Sequence, residues 1–367
     1  MRRDITPVIS LVLSVALLAG GCATPTSVPT PLPTERPSPT PRPTADPWDP
    51  FVLNARLGRG VNLGNALEAP REGDWGVTLY EEYFALIDKG GFDSVRIPIR
   101  WSAHAATEAP YTIDPAFFER IDWAVEQALS RGLLAVINMH HYVEVFSDPE
   151  AEHDRFLALW RQIAEHYQDY PPELLFEILN EPHGALTASR WNMLLVEALG
   201  VIRQTNPTRA VIIGPANWNN VNALGSLQLP EDDRYLIATF HYYEPFRFTH
   251  QGAEWVNGAD AWLGTTWEGS EAQKRVIVTH FDRATEWGRV KNRPVYLGEF
   301  GAYSKADMDS RVRWTAFVAR TAEEHRISWA YWEFCAGFGV FDRTLGRWNE
   351  PLLTALMPAG FGSFFFF

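Results

Sequence analysis

From Phe51 onward, short apolar runs alternate with segments whose apolar residues recur every three or four positions. The runs fall at Gly60–Leu63, Ser94–Ile99, Leu133–Met139, Leu174–Leu179, Ala210–Ile213, Tyr235–Phe240, Val295–Leu297 and Ile327–Trp332. Near-continuous apolar runs of this length are what strands buried on both faces require, and helical segments between them supply the crossovers of a parallel sheet. Two helix starts are legible. Asp114-Pro115 reads as an N-cap followed by proline at the first helical position, with Phe117, Ile121, Ala124, Val125, Ala128 and Leu129 on one face and Gly132 closing the helix. Thr78-Leu79-Tyr80-Glu81 reads as a capping box opening another helix. Eight strands alternating with helices predict an α/β fold, a parallel (β/α)8 TIM barrel. No internal repeat of solenoid period is present.

The polar residues at the strand ends give the pattern its chemistry. Arg96 lies within the second strand, His140-His141 closes the third, Asn180-Glu181 the fourth, His241-Tyr242-Tyr243 the sixth, Glu299 the seventh and Trp332 the eighth. Barrel enzymes place their chemistry at the carboxyl ends of the strands. Two carboxylates on separate strands are what glycosidic bond cleavage needs, one to donate a proton and one to act as nucleophile or base. Residue type alone does not divide those roles between Glu181 and Glu299. A metal site built from His140, His141, Glu181 and His241 is a weaker reading, because no tight His-x-x-x-His spacing is present. In a regular strand His140 and His141 would point to opposite sides, one lining the mouth and the other taking a side position. Arg96 also reads as a buried ion-pair partner.

Before Phe51 the chain changes character. Arg2 and Arg3 precede an apolar stretch, Val8–Ala19, and Ala19-Gly20-Gly21-Cys22 places small residues before a cysteine. Residues 1–22 therefore read as an export signal with a lipobox-like Cys22, so that a lipid on Cys22 would anchor the chain to a membrane. If Cys22 is lipidated, Cys335 has no disulfide partner. Residues 23–50, rich in proline and threonine, form an extended spacer that cannot build a core. The expected organisation is signal (1–22), linker (23–50), barrel domain (51–361) and a short Phe-rich tail (362–367), with the product exported as a cell-surface lipoprotein or secreted. The tail has no functional reading.

Composition narrows the partners. The formal net charge of −13, from 32 Lys and Arg against 45 Asp and Glu, argues against a nucleic-acid groove. Aromatic residues make up a high 13% of the chain; more than half of them read as core, and flat rings suit the apolar faces of sugars.

The motifs Val-Arg-Ile-Pro-Ile-Arg-Trp (95–101), Asn-Met-His-His (138–141), Leu-Asn-Glu-Pro (179–182), Phe-His-Tyr-Tyr (240–243), Leu-Gly-Glu-Phe-Gly (297–301) and Trp-Glu-Phe (332–334) occur in order at the predicted strands. Together they resemble glycoside hydrolase family 5, the cellulase family of clan A, from about Arg59 to about Pro351. The resemblance implies a retaining endo-β-1,4-glucanase that needs no metal or cofactor, acting as a monomer on a β-linked polysaccharide or oligosaccharide. It makes Glu181 the general acid/base and Glu299 the nucleophile. Arg96 and Tyr243 would hold Glu299 and lower its pKa, His241 would face Glu181, Asn180 would bind the sugar 2-hydroxyl, and His140 and Trp332 would contact the sugar at the cleaved bond. Asn65, Glu68, His141, Trp218 and Trp255 are the remaining substrate-contact candidates, whereas Glu333 stands where several residue types would serve. The segment after the sixth strand, 241–255, is similar to a bacterial branch of β-1,4-glucanases, some of which also act on mannan. A β-mannanase or mixed-linkage glucanase is the alternative within the same site; a glycan-binding lipoprotein without activity is the alternative outside catalysis.

Overall fold

The computed structural model describes residues 46–358. The export signal, Cys22, all but the last five residues of the linker and the Phe-rich tail lie outside the described residues. Eight parallel strands close into a barrel in sequence order: β1 (Arg59–Asn62), β2 (Ser94–Ile97), β3 (Leu134–Asn138), β4 (Leu174–Glu177), β5 (Val211–Ile213), β6 (Leu236–Tyr242), β7 (Val295–Phe300) and β8 (Ser328–Tyr331). All eight predicted strands are present, β6 and β7 running past their predicted ends to take in His241 and Glu299. A small antiparallel pair, β9 (Phe341–Asp342) and β10 (Arg347–Trp348), follows the barrel.

The barrel interior is graded from apolar to polar. Leu134, Val136, Leu175, Ala210, Ile212, Ile237, Tyr296 and Ala330 pack together inside it, and Leu53 and Leu57 of the helix Pro50–Leu57 close this cluster. Towards the carboxyl ends of the strands the interior carries Asn62, Arg96, Asn138, Glu177 and Thr239, all fully buried. The outer shell of the core lies between strands and helices, where the predicted face of the helix Pro115–Leu129 is buried. Asp114 caps that helix by accepting from Ala116 N at 2.9 Å, and Pro115 is its first residue.

Two local expectations are corrected. The helix Glu81–Lys89 has Tyr80 at its N-cap and no side-chain cap. The segment before it is instead pinned by Glu72, whose carboxylate accepts from Leu79 N at 2.7 Å and binds Arg120 at 2.8 Å, while Arg120 donates to Leu79 O at 2.7 Å. Folded structure also begins before Phe51. Asp49 caps the helix through Phe51 N at 2.8 Å, Pro50 is its first residue, and the Trp48 ring lies 5.5 Å from the Arg209 guanidinium.

Candidate active site

Arg96 is the hub on which the site is built. Its side chain is fully buried and binds Glu177 through two bonds, Nε to Oε2 at 2.6 Å and Nη2 to Oε1 at 2.8 Å. The same guanidinium donates to Asn62 Oδ1 at 2.9 Å, to Glu299 Oε1 at 2.7 Å and to Asn180 Oδ1 at 2.7 Å. A buried arginine needs this saturation, since an unpaired charge there would cost several kcal/mol. Arg96 is thus both the structural ion-pair partner and a site residue. The bond to Asn180 Oδ1 leaves the amide NH2 of Asn180 as its remaining hydrogen-bonding group, a donor on the cleft wall.

A bulge aims Glu299. Strict alternation along β7 points Tyr296 inward and would send Glu299 outward with Leu297. The register of β7 slips against β6 between Phe240 and His241 and against β8 between Leu297 and Phe300, so that His241 pairs with Glu299 while Phe240 pairs with Leu297. Gly298 is the extra residue, and a Cβ on it would stand 2.9 Å from Thr239 Oγ1 and 3.0 Å from His241 Nε2. Bulges next to active sites re-aim side chains in this way. Glu299 then meets Arg96 through Oε1 and the Tyr243 hydroxyl, which donates to Oε2 at 2.8 Å.

Glu181 is held differently. It lies four residues past the end of β4, in a left-handed conformation at φ 48°. Its Oε1 is 2.8 Å from His241 Nδ1. Asn219 Nδ2 lies 3.3 Å from His241 Nε2, which makes Nε2 the acceptor and leaves the proton on Nδ1 to be donated to Glu181. Burial lowers the His241 pKa to about 4, so the ring is neutral at pH 7.

Burial raises the pKa of both carboxyls. Glu181 is pushed up to about 7, with Arg96 and His183 opposing. For Glu299 the expected net lowering is corrected. Burial outweighs His241, Arg96 and Tyr243, which all favour its anion, and the net direction is upward.

These residues line a cleft of about 1340 Å³ across the barrel mouth. Asn65, Glu68, His140, His141, Asn180, Glu181, Trp218, His241, Tyr243, Trp255, Glu299 and Trp332 all border it, with Arg96 beneath. The expected division of His140 and His141 does not occur. β3 ends at Asn138, His141 turns at φ 50°, and both rings reach the cleft wall with centroids 4.5 Å apart. His140 Nδ1 lies 3.0 Å from Asn138 Nδ2, and its ring is nearly parallel to Trp332 at 13° and 5.8 Å. Gly64 allows the Trp332 indole its place, since a Cβ there would stand 3.1 Å from the ring. The Glu68 carboxylate is committed to backbone, accepting from Asn65 N and, at 3.0 Å, from Ala66 N. Burial raises its pKa to about 8.

Several contributors were not singled out in the sequence. Glu177, Asn62 and Asn219 support the carboxylates and His241 from below. Glu333 is fully buried and accepts from the backbone N–H groups of Cys335, Ala336 and Phe338 at 2.7–3.0 Å, shaping the loop beyond Trp332. Trp75, 40% exposed, meets His141 edge-on at 5.3 Å and borders the cleft. Its signal was an exposed tryptophan in a loop after the first strand, which sequence alone does not place near the mouth.

Among the described residues, Glu181, His241 and Glu299 bring one ligand atom each within 4.8 Å of one another. Both Glu299 oxygens already accept charged or hydroxyl donors, and the Arg96 guanidinium beside them repels a cation. The donor set therefore suits paired acid–base chemistry better than metal binding.

Residues 58–337 match the family model for cellulase, glycosyl hydrolase family 5. Endoglucanase H of Acetivibrio thermocellus is 40% identical over 306 residues, which cover 83% of this chain and 32% of that protein. The chain thus spans about a third of the length of that curated relative. Among solved structures, Thermotoga maritima Cel5A in complex with mannotriose is 54% identical with a TM-score of 0.83, over 84% of this chain and 100% of that one. Structures of the same protein in complex with cellobiose match equally, at 54% identity and a TM-score of 0.83 over 84% of this chain and 100% of that one.

Proposed function

The chain belongs to glycoside hydrolase family 5, and from that premise we propose that it is a retaining, endo-acting β-1,4-glucanase that cleaves cellulose-type chains by a two-glutamate double displacement. What carries this reading is the pair itself: a Glu181 oxygen and a Glu299 oxygen within 4.8 Å of each other, held by unlike partners. Retaining glycosidases space their carboxyl groups at about 5–5.5 Å, whereas inverting enzymes need about 6.5–9.5 Å to admit a water.

In this mechanism Glu299 attacks the anomeric carbon as an anion, its charge held by Arg96 and Tyr243. Glu181 donates its proton to the glycosidic oxygen as the bond breaks, then removes a proton from the water that hydrolyses the glycosyl-enzyme. A carboxyl with a pKa near 7 can do both at neutral pH. The Asn180 amide donates to the sugar 2-hydroxyl, a contact that strengthens in the transition state. Trp332 and His140 form the floor under the sugar at the cleaved bond. Trp255, 60% exposed, stacks sugars farther along the cleft.

β-Mannan is the second substrate, favoured by the mannotriose complex of the similar Thermotoga maritima Cel5A. Glucose and mannose differ in the orientation of one hydroxyl, which a few contacts decide. A glycan-binding protein without activity is disfavoured by the intact support around both glutamates. We also propose export as a monomer with Cys22 lipidated; loss of membrane partitioning on Cys22→Ser tests the anchor. Release of reducing ends from β-glucan and mannan by wild type, and not by Glu299→Gln, is the test of the enzyme. Equal release by the soluble variant would overturn it.

A further inference from the structure

His241 stands between the two carboxyls. Its Nδ1 lies 2.8 Å from Glu181 Oε1 and 3.6 Å from Glu299 Oε2. A bare nitrogen there would set its lone pair against two carboxyl oxygens, one of them on the anionic nucleophile, so Nδ1 carries a proton. Burial, with Arg96 beneath, keeps the ring neutral against the pull of Glu299 and Glu177. A neutral ring has one proton, and Nε2 is therefore bare.

The far side of the ring is built around that bare nitrogen. Asn219 Nδ2, 3.3 Å away, is its hydrogen-bond partner. Asn219 is fully buried at φ 50°, and its carbonyl accepts from His241 N at 2.9 Å. Gly214, just past β5, makes room for the amide, since a Cβ there would overlap Asn219 Oδ1. That oxygen bonds none of the described residues, so the orientation of the amide follows the ring, and a bare Nε2 takes its NH2. A donor in this place opposes a second proton on the ring.

The consequence falls on Glu181. With Oε1 accepting from Nδ1, the acid proton belongs on Oε2, which bonds none of the described residues, on a side chain 24% exposed at the cleft. We propose that Asn219 is a positioning residue that holds His241 in its Nδ1–H form, and that Glu181 therefore delivers and recovers the catalytic proton through Oε2. The inference rests on the double-displacement reading. In the first step the Oε2–H bond breaks and its proton passes to the glycosidic oxygen. The C1–O bond to the departing sugar breaks, its electron pair going to that oxygen, and Glu299 bonds to C1. In the second step water bonds to C1 and gives a proton to Oε2 as the bond from C1 to Glu299 breaks. The proton on Nδ1 stays where it is throughout. In the opposite tautomer Nδ1 would accept, and the Glu181 proton would be drawn onto Oε1 in an internal bond, away from the substrate.

Two measurements test this. Nitrogen-15 NMR of histidine-labelled wild type, with the His241 signal identified by its loss in His241→Gln, should show a protonated Nδ1 and a bare Nε2 at neutral pH. A proton on Nε2, alone or together with one on Nδ1, would overturn the proposal. The second measurement compares cellotetraose, whose leaving group needs a proton, with 2,4-dinitrophenyl β-cellobioside, whose leaving group does not. In Asn219→Asp the new carboxylate accepts from Nε2, so that the ring holds both protons. The ratio of kcat/KM on cellotetraose to that on the aryl cellobioside should then fall roughly 10-fold. The alkaline limb for cellotetraose should also move to lower pH, because a charged His241 favours the Glu181 anion. Asn219→Ala should lower the same ratio by a smaller factor, since it frees the tautomer without reversing it. Aryl cellobioside turnover shows that each variant folds. An unchanged ratio in both variants, or equal losses on the two substrates, would overturn the role of Asn219. Wild-type protein inactive on both substrates would overturn the underlying function instead.

Discussion

Glu299 and Glu181 share one cleft but are built in opposite ways. Glu299 sits inside a strand, turned inward by the Gly298 bulge, with both oxygens accepting hydrogen bonds from Arg96 and Tyr243. Glu181 sits past its strand at positive φ, with a neutral histidine as its partner and His183 and Trp218 packed against its turn. Burial raises the pKa of both, so burial does not set the roles apart. The difference lies in what faces each carboxyl. One is surrounded by donors that favour its anion; the other has a partner that tolerates either protonation state.

The sharpest way to break this comparison is to remove each carboxyl and vary the leaving group. Glu299→Gln should lose activity on the order of 10^5-fold on every glycoside, as expected for a lost covalent nucleophile. Glu181→Gln should lose about 10²–10⁴-fold on cello-oligosaccharides and far less on 2,4-dinitrophenyl β-cellobioside, which leaves without a proton. Similar losses for both variants on both substrates would erase the distinction.

Arg96→Met comes next. It strands Glu177 and Glu299 as buried carboxylates without their cation, at a stability cost of about 3–5 kcal/mol. Urea unfolding measures this, and a cost below about 1 kcal/mol would mean that Arg96 is not the hub.

Tyr243→Phe touches only one side of the pair. It should lower kcat roughly 10–100-fold by removing a hydrogen bond to a charged acceptor. It should also move the acidic limb of the pH profile upward, since Tyr243 favours the Glu299 anion. An acidic limb that stays in place would contradict the clamp.

The smallest effect is the pH profile of the wild type. Glu181 is active protonated, so kcat/KM should fall as pH rises through about 7; Glu299 is active ionised, so the acidic limb should lie above the ordinary glutamate range. On the aryl cellobioside the alkaline limb should fade, because the acid is no longer needed.

The fold was legible because its signal is periodic. Eight buried runs and the capped helix at Asp114-Pro115 read directly, and the polar residues at the strand ends marked the mouth. What escaped depends on pairings distant in sequence or on breaks in regularity. Glu177 lies between Phe176 and Ile178 in a run that reads apolar, and its partner Arg96 is 81 residues away. The Gly298 bulge that turns Glu299 inward is a property of strand register, which no local pattern encodes. Glu333 looked interchangeable because its partners are backbone N–H groups, invisible in side-chain chemistry. The false capping box at Thr78 failed for a related reason: Glu72 and Arg120 hold that segment from outside.

The central claim is that Glu299 carries the covalent intermediate while Glu181 moves the proton. Incubation with a 2-deoxy-2-fluoro β-cellobioside bearing a dinitrophenyl leaving group, followed by peptide mass mapping, tests it most directly. The account predicts one added fluoroglycosyl group on the peptide that contains Glu299. A label on the peptide that contains Glu181, or turnover with no label at all, would contradict it.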